Sequence, residues 1–190
     1  MAQAQAAGFS PERSARLLEL ETFHFWFGAR RRLVQRLLAR HVGSRGALLD
    51  VGCGGAFLAA DLIALGHSVL GVDRSALALR AAQSRAPTML TVQADALELP
   101  LPRGSFQAAL ALDVLEHVDD RALLLALHAV LEARGVLVLT VPALPWLWSY
   151  RDEAAGHLRR YTRSNLVQLL EQTGYQVLEQ HYYQCLLFGP

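Results

Sequence analysis

Along most of the chain, short apolar runs alternate with longer stretches whose apolar residues recur at helical spacing. From Ser10-Pro11, a helix start with proline in the first helical position, to about Arg40 the pattern predicts one or two helices, including "FHFWFGARRRLVQRLL". Residues 1–9 read as a loose leader, and Gly43 to Gly46 break the periodicity. Strand-length runs then follow at 47–51 (ALLDV), 68–73, 88–92, 106–112 and 135–141. Helical patterns separate them at 56–65, 75–85 and 119–133, with a proline-containing loop at 96–105. After a loop at 142–162 come a helix at 163–173, Gly174 and a last strand, "YQVLEQHYY".

Apolar strands spaced by helices predict a parallel sheet covered on both faces. Right-handed crossovers make it an α/β, doubly wound, Rossmann-like sandwich with a mostly parallel sheet. Residues 1–44 are expected as an N-terminal helical cap and 45–190 as the main domain, together one structural unit. There is no internal repeat, low-complexity tract or interdomain linker.

Composition narrows the function. The 190 residues are 53% hydrophobic, yet no uncharged run reaches the roughly 18 residues of a membrane helix, so stable membrane insertion is not expected. The N-terminus lacks the basic-then-apolar pattern of a secretion signal. Cys53 and Cys185 give neither a disulfide framework nor metal-ligand spacing, so no metal is expected and the chain reads as cytoplasmic. A net charge of +1 argues against a nucleic-acid surface. Every one of the 18 basic residues is arginine, which excludes a catalytic or phosphate-loop lysine.

The stretch "LLDVGCGGAFLA" (48–59) is a glycine loop between a strand and a helix. A dinucleotide loop needs a third glycine for close helix–strand packing and admits a pyrophosphate. Here Phe57 stands in that position and the acid Asp50 at the loop mouth disfavours a pyrophosphate. Asp50 suits an ammonium group, Asp73 suits ribose hydroxyls, and Asp95 suits an adenine amine. A nucleoside bearing an amino acid and no phosphate answers to all three, and S-adenosylmethionine is that ligand.

The segments "LLDVGCGGAFLAADLIALGHSVLGVDRS", "ADALELPLPRGSFQAALALDVLEHVDD" and "GVLVLTVPA", in that order, resemble class I S-adenosylmethionine-dependent methyltransferases over about residues 45 to 185. The chain is similar to the small-molecule branch that includes the ubiquinone- and menaquinone-pathway enzymes, and within it to a bacterial subgroup. The resemblance implies that Asp50, Gly52 and Gly54 line the methionine portion and that Asp73, with Arg74, holds the ribose. Asp95 and Ala96 would meet the adenine, and Leu112 and Asp113 would form the floor near the sulfonium. The family's next loop glycine is Ala56 here, which costs little if the backbone there is helical. The family's seventh, antiparallel strand has no counterpart before Pro190, so it is expected to be absent or truncated.

The acceptor side is expected after the fourth and fifth predicted strands. His117 and His157 are candidate bases for a hydroxyl acceptor. Trp146, Trp148 and Tyr150 could cover an aromatic, prenylated or lipid-like small molecule, with core packing expected for at least one of them. Arg159, Arg160 and Tyr161 are candidate substrate contacts, set against a loop tied down by ion pairs to Asp152 and Glu153. Phe23, Phe25, Trp26 and Phe27 suggest a helix over the cofactor cleft, with Arg30 or Arg31 touching substrate. Acceptor oxygen, nitrogen and carbon are all compatible with these residues. A nicotinamide oxidoreductase is disfavoured by Phe57 and the missing lysine. A nucleic-acid methyltransferase is disfavoured by Asp113-Val114-Leu115, and a non-catalytic module by the intact strand-end acids.

Overall fold

The computed structural model describes residues 25–183, excluding the side chains of Phe25 and Trp26. The expected leader, the helix start at Ser10-Pro11, Phe23 and Cys185 lie outside the described residues. A helix α1 (Phe25–His41) leads into β1 (Ala47–Val51), α2 (Ala59–Ala64), β2 (Ser68–Asp73), α3 (Ala76–Arg85) and β3 (Leu90–Gln93). Then come β4 (Phe106–Leu112), α4 (Asp120–Val130), β5 (Leu131–Thr140), α5 (Tyr150–Ala155) and α6 (Arg163–Gln172). The five strands are parallel in the order β3-β2-β1-β4-β5. The chain winds outward from β1 to β3, then crosses back to β4, so the switch point lies between β1 and β4.

Successive residues of a strand face opposite sides, and both sides here are covered. On one side Leu48, Ala108, Leu110 and Val138 pack against Val34 and Leu38 of α1, Leu62 of α2 and Leu79 of α3. On the other, Leu49, Val51, Ala109 and Ala111 pack against Leu123, Leu124 and Leu127 of α4 and Leu166 of α6. Small residues along β4 let helices approach both faces closely. Because Val34 and Leu38 are buried in the same cluster as β1, α1 shares the core of the sheet.

Three local expectations give way. The helix predicted to reach 133 ends at Val130, because Leu131 pairs with Phe106 as β5 begins. Glu132, Ala133 and Arg134 are exposed and occupy the irregularity before Val136 pairs with Ala108. The last strand predicted at 175–183 is not formed. No residue there is buried, and its anchors are side-chain bonds from Arg40 and His41 to Glu179 and from Arg163 to Gln180. Finally, Ala56 is not helical but has φ 55°, a left-handed conformation costing about 1–2 kcal/mol for a residue with a Cβ.

Candidate active site at the carboxyl ends of the strands

Asp50 lies in β1 and is buried, and the glycine loop leaves the sheet directly after it. Gly52 and Cys53 both donate backbone bonds to the Val72 carbonyl of β2, at 2.8 and 3.1 Å. The loop is thereby held against the neighbouring strand end. Gly52 has φ 68°, and a Cβ there would stand 2.6 Å from the Val114 side chain. Only glycine fits that conformation and that space. Cys53 is buried among apolar residues, a packing role.

Asp73, at the end of β2, accepts from the Gly54 amide at 3.0 Å and from the Ser75 amide at 2.8 Å. The cap of α3 is Ser75, whose hydroxyl accepts from Ala78, so Asp73 is not the cap. One bond per oxygen leaves it lone pairs for further donors. Arg74 is exposed, its carbonyl accepting from Gln93. Asp95 is exposed and accepts from the Leu97 amide at 2.9 Å, with Ala96 half-buried between them.

Leu112 ends β4 buried, and Asp113 follows with φ 58°. Aspartate tolerates this conformation better than most residues, and two side-chain partners hold it here. Thr140, ending β5, donates to Asp113 Oδ1 at 2.7 Å, and Arg30 of α1 donates to Oδ2. The Arg30 guanidinium lies over the rings of Phe27 and Phe57, 5.0 and 4.9 Å from their centroids, and the two rings themselves meet edge to face at 5.3 Å. Tyr183 bonds to Thr140, and burial, with Asp113 beside it, pushes its hydroxyl well up.

Just beyond Asp113 a short helical turn, Leu115–His117, carries the acceptor-side candidates. Glu116 is fully buried, and neither carboxylate oxygen has a hydrogen-bond partner among the other described residues. Burial first, then Asp113, raises its carboxyl well above the ordinary range. The His117 and His157 rings meet edge to face, 4.9 Å between centroids. His157 Nδ1 donates to Asp152 Oδ1 at 2.9 Å, since a carboxylate can only accept. Arg160 grips both oxygens of Asp152, at 2.7 and 2.8 Å. Burial would raise the Asp152 carboxyl, but Arg160, His157 and the Ser149 amide together hold it far below its usual value.

The loop carrying His157 closes on itself. Leu144 and Tyr161 exchange backbone bonds with Tyr161 and Pro142, and the Leu158 amide donates to the Glu116 carbonyl at 2.8 Å. Arg160 is thus committed to Asp152. Arg159 pairs with Asp120 at 2.7 Å, and the buried Tyr161 donates to Asp120 at 3.0 Å. Glu153 takes no part in these pairs. Trp146, Trp148 and Tyr150 are 75%, 41% and 73% exposed, so none packs in the core as expected of at least one. Proline at 145 and a left-handed Leu144 turn that segment outward.

A profile of the methyltransferase domain family matches residues 22–180. The chain belongs to this family. A probable S-adenosylmethionine-dependent methyltransferase of Mycobacterium tuberculosis is 32% identical over 161 residues, 83% of this chain and 58% of that protein. The chain therefore spans less than two thirds of that relative. A ubiquinone biosynthesis O-methyltransferase of Albidiferax ferrireducens is 40% identical over 82 residues, covering 40% of this chain and 32% of the relative. Magnesium protoporphyrin IX methyltransferase from Synechocystis, solved with bound S-adenosylhomocysteine, superposes with TM-score 0.71 at 17% identity, over 89% and 86% of the two chains.

The cofactor that accompanies this membership is S-adenosylmethionine, and the residues present fit it. Gly52 lets the loop pass against Val114 where a Cβ would collide, and Asp50, Asp73 and Asp95 stand at or just past the carboxyl ends of the neighbouring strands β1, β2 and β3. The geometry also brings to the candidate site residues that the sequence pattern did not single out. Thr140 could have been found as the one hydroxyl ending an apolar strand. Glu116 was visible only as the neighbour of His117, and Asp152 only as an ion-pair partner. Tyr183 had no sequence signal.

Proposed function

We propose that this protein transfers a methyl group from S-adenosylmethionine to a small-molecule acceptor, aromatic, prenylated or lipid-like, and that the acceptor enters between Asp113 and His157. When bound, S-adenosylmethionine supplies a methyl group on a sulfonium, open to in-line displacement. Asp50, Gly52 and Gly54 hold its amino-acid portion, Asp73 its ribose, with Arg74 alongside, and Asp95 and Ala96 its adenine. Leu112 and Asp113 form the floor beneath the reacting centre.

The observation that carries the acceptor side is the pairing of His157 with Asp152. Its Nδ1 hydrogen is fixed, so Nε2 presents a lone pair that can take a proton from an acceptor hydroxyl. His117 stands beside it as a second proton carrier. The exposed Trp146, Trp148 and Tyr150 give an apolar rim on which a ring or prenyl chain can rest, and likeness to the ubiquinone-pathway relative supports a hydroxyaromatic acceptor. Arg159, Arg160 and Tyr161 then support this pocket from behind through Asp120 and Asp152. We assign the protein to the cytoplasm, a reducing setting in keeping with a chain that has no disulfide framework.

The test supplies methyl-labelled S-adenosylmethionine with a panel of hydroxyaromatic and prenylated acceptors, and follows label into the organic phase. Transfer should occur for at least one hydroxyl acceptor, and His157→Ala should cut it about 100-fold, the scale of general base catalysis, with S-adenosylhomocysteine affinity kept. Lost cofactor binding with normal turnover at saturation would take His157 out of the acceptor pocket.

A further inference from the structure

Glu116, His117 and His157 each offer a ligand atom, and these atoms all lie within 4.8 Å of one another. Glu116 supplies a second, independent observation. It is 0% exposed, and neither of its oxygens has a hydrogen-bond partner among the other described residues. A buried carboxylate is tolerated only with a compensating group. The nearest candidate, His157 Nε2, is 3.9 Å from Glu116 Oε1. That is too long for a hydrogen bond. Two atoms bound to one tetrahedral cation through bonds of about 2.1 Å stand about 3.4 Å apart, so a cation would draw these two together by about half an ångström.

The histidines are set up for the same task. His157 presents Nε2 toward Glu116 because Asp152 holds Nδ1 at 2.9 Å, and Asp152 is itself fixed by Arg160. A histidine whose second nitrogen donates to an outer carboxylate is the usual form of a metal-bound imidazole. His117 rests Nδ1 3.3 Å from the Gly156 carbonyl, which turns its Nε2 away from the backbone. The remaining charged and titratable groups facing the cluster are Asp113, Arg30 and Tyr183. Asp113 and Arg30 form a pair, so their charges offset each other near the site.

We propose that Glu116, His117 and His157 bind a divalent transition-metal cation, with an open position directed at the methyl acceptor. Two imidazoles and one carboxylate favour Zn²⁺ and its neighbours over Mg²⁺. Three protein ligands, where a structural zinc has four, leave a place for an exogenous oxygen. A hydroxyl held there would lose its proton more readily, to solvent water, and its oxygen would take the methyl group as the sulfonium–carbon bond breaks; His157 then serves as ligand, and the cation takes over the activating role of the free imidazole. That role rests on the methyl-transfer reading; cation binding itself does not.

The experiment titrates Zn²⁺ into the chelator-treated full chain by calorimetry, in two buffers of different ionisation enthalpy. We expect one Zn²⁺ per chain, micromolar or tighter, with the heat differing between buffers as the cation displaces protons. Mg²⁺ at the same concentration should give no comparable heat. Glu116→Gln and His157→Gln should each weaken Zn²⁺ at least 10-fold, and Asp152→Asn, which touches no metal, about 10- to 100-fold. S-adenosylhomocysteine affinity in Glu116→Gln should match the parent, showing that the fold persists. Absence of Zn²⁺ binding at millimolar concentration, or binding that these substitutions leave unchanged, overturns the site; equal Mg²⁺ affinity overturns its transition-metal character. Loss of S-adenosylhomocysteine binding by the parent chain would instead count against the cofactor reading.

Discussion

Arg30 and Asp113, 83 positions apart, form an ion pair that ties α1 to the carboxyl end of β4. The guanidinium is buried against the rings of Phe27 and Phe57, and its partner is a left-handed aspartate also held by Thr140. The pair therefore joins three things: the first helix, the glycine loop through Phe57, and the ends of the two strands nearest the acceptor side. Ordering of α1 and ordering of the site are one event.

Replacing Arg30 with Met should accordingly cost stability. Breaking a buried pair from one side costs about 3–5 kcal/mol, but the Asp113 side chain is 33% exposed, so water recovers part and about 1–3 kcal/mol is expected. Urea unfolding measures the loss. An unchanged midpoint would mean that the stacking of Arg30, and not its charge, sets the position of α1.

Gly52→Ala is expected to lose S-adenosylhomocysteine affinity by 10-fold or more. The substitution strains a left-handed residue and drives a methyl group into Val114. Adding Val114→Ala should restore only the part due to collision, leaving about 1–2 kcal/mol from the backbone. Full recovery in the double variant would show that φ is not the constraint.

The glycine loop was legible because its chemistry is local: Asp50, Gly52, Gly54 and Asp73 follow from strand ends and from what each residue type can do there. The sheet was legible for the same reason, since fully buried parallel strands read as apolar runs. Ala56 was misread because alanine favours helices, and here closure of the loop from Cys53 to Ala56 overrides that preference. The segment 175–183 has strand composition yet pairs with neither edge strand, β3 or β5, an outcome that only the fold contains. The approach of Glu116, His117 and His157 to one another was not legible, because it rests on a backbone bond between Leu158 and Glu116 that no spacing announces.

Acid should release the segment carrying Glu179. Bonds from His181 first, then His41 and Arg40, hold its carboxyl down at about 2, below an ordinary 4.5. A depressed carboxylate contributes fully above its unfolded value and loses that contribution as pH falls toward the folded one. Amide exchange of residues 175–183 should therefore accelerate, beyond its intrinsic pH dependence, as pH falls from about 4.5 toward 2, and Glu179→Gln should show the released behaviour already at pH 6. An exchange profile identical in both proteins would place the anchor elsewhere, at Arg163 and Gln180.

The last prediction concerns Asp152 and His157. Asp152 is 1% exposed and takes two bonds from Arg160 and one from His157, so its charge serves two cationic or proton-bearing partners at once. Asparagine keeps the shape but supplies one acceptor oxygen and a competing NH₂ donor. Arg160 must then lose one of its two bonds, together with either the Ser149 amide or His157, according to which way the amide turns. Stability should fall by about 2 kcal/mol, within the cost of leaving a buried hydrogen-bonding group unsatisfied. A destabilised loop alone would do that too, so the deciding measurement is the histidine itself. At pH 8, where an ordinary imidazole is neutral, nitrogen-15 NMR of the parent should show the His157 hydrogen on Nδ1. In Asp152→Asn it should be shared with Nε2, because the amide can donate as well as accept. If the hydrogen stays on Nδ1 in the variant, another group orients His157, and Asp152 acts on the loop through Arg160 alone.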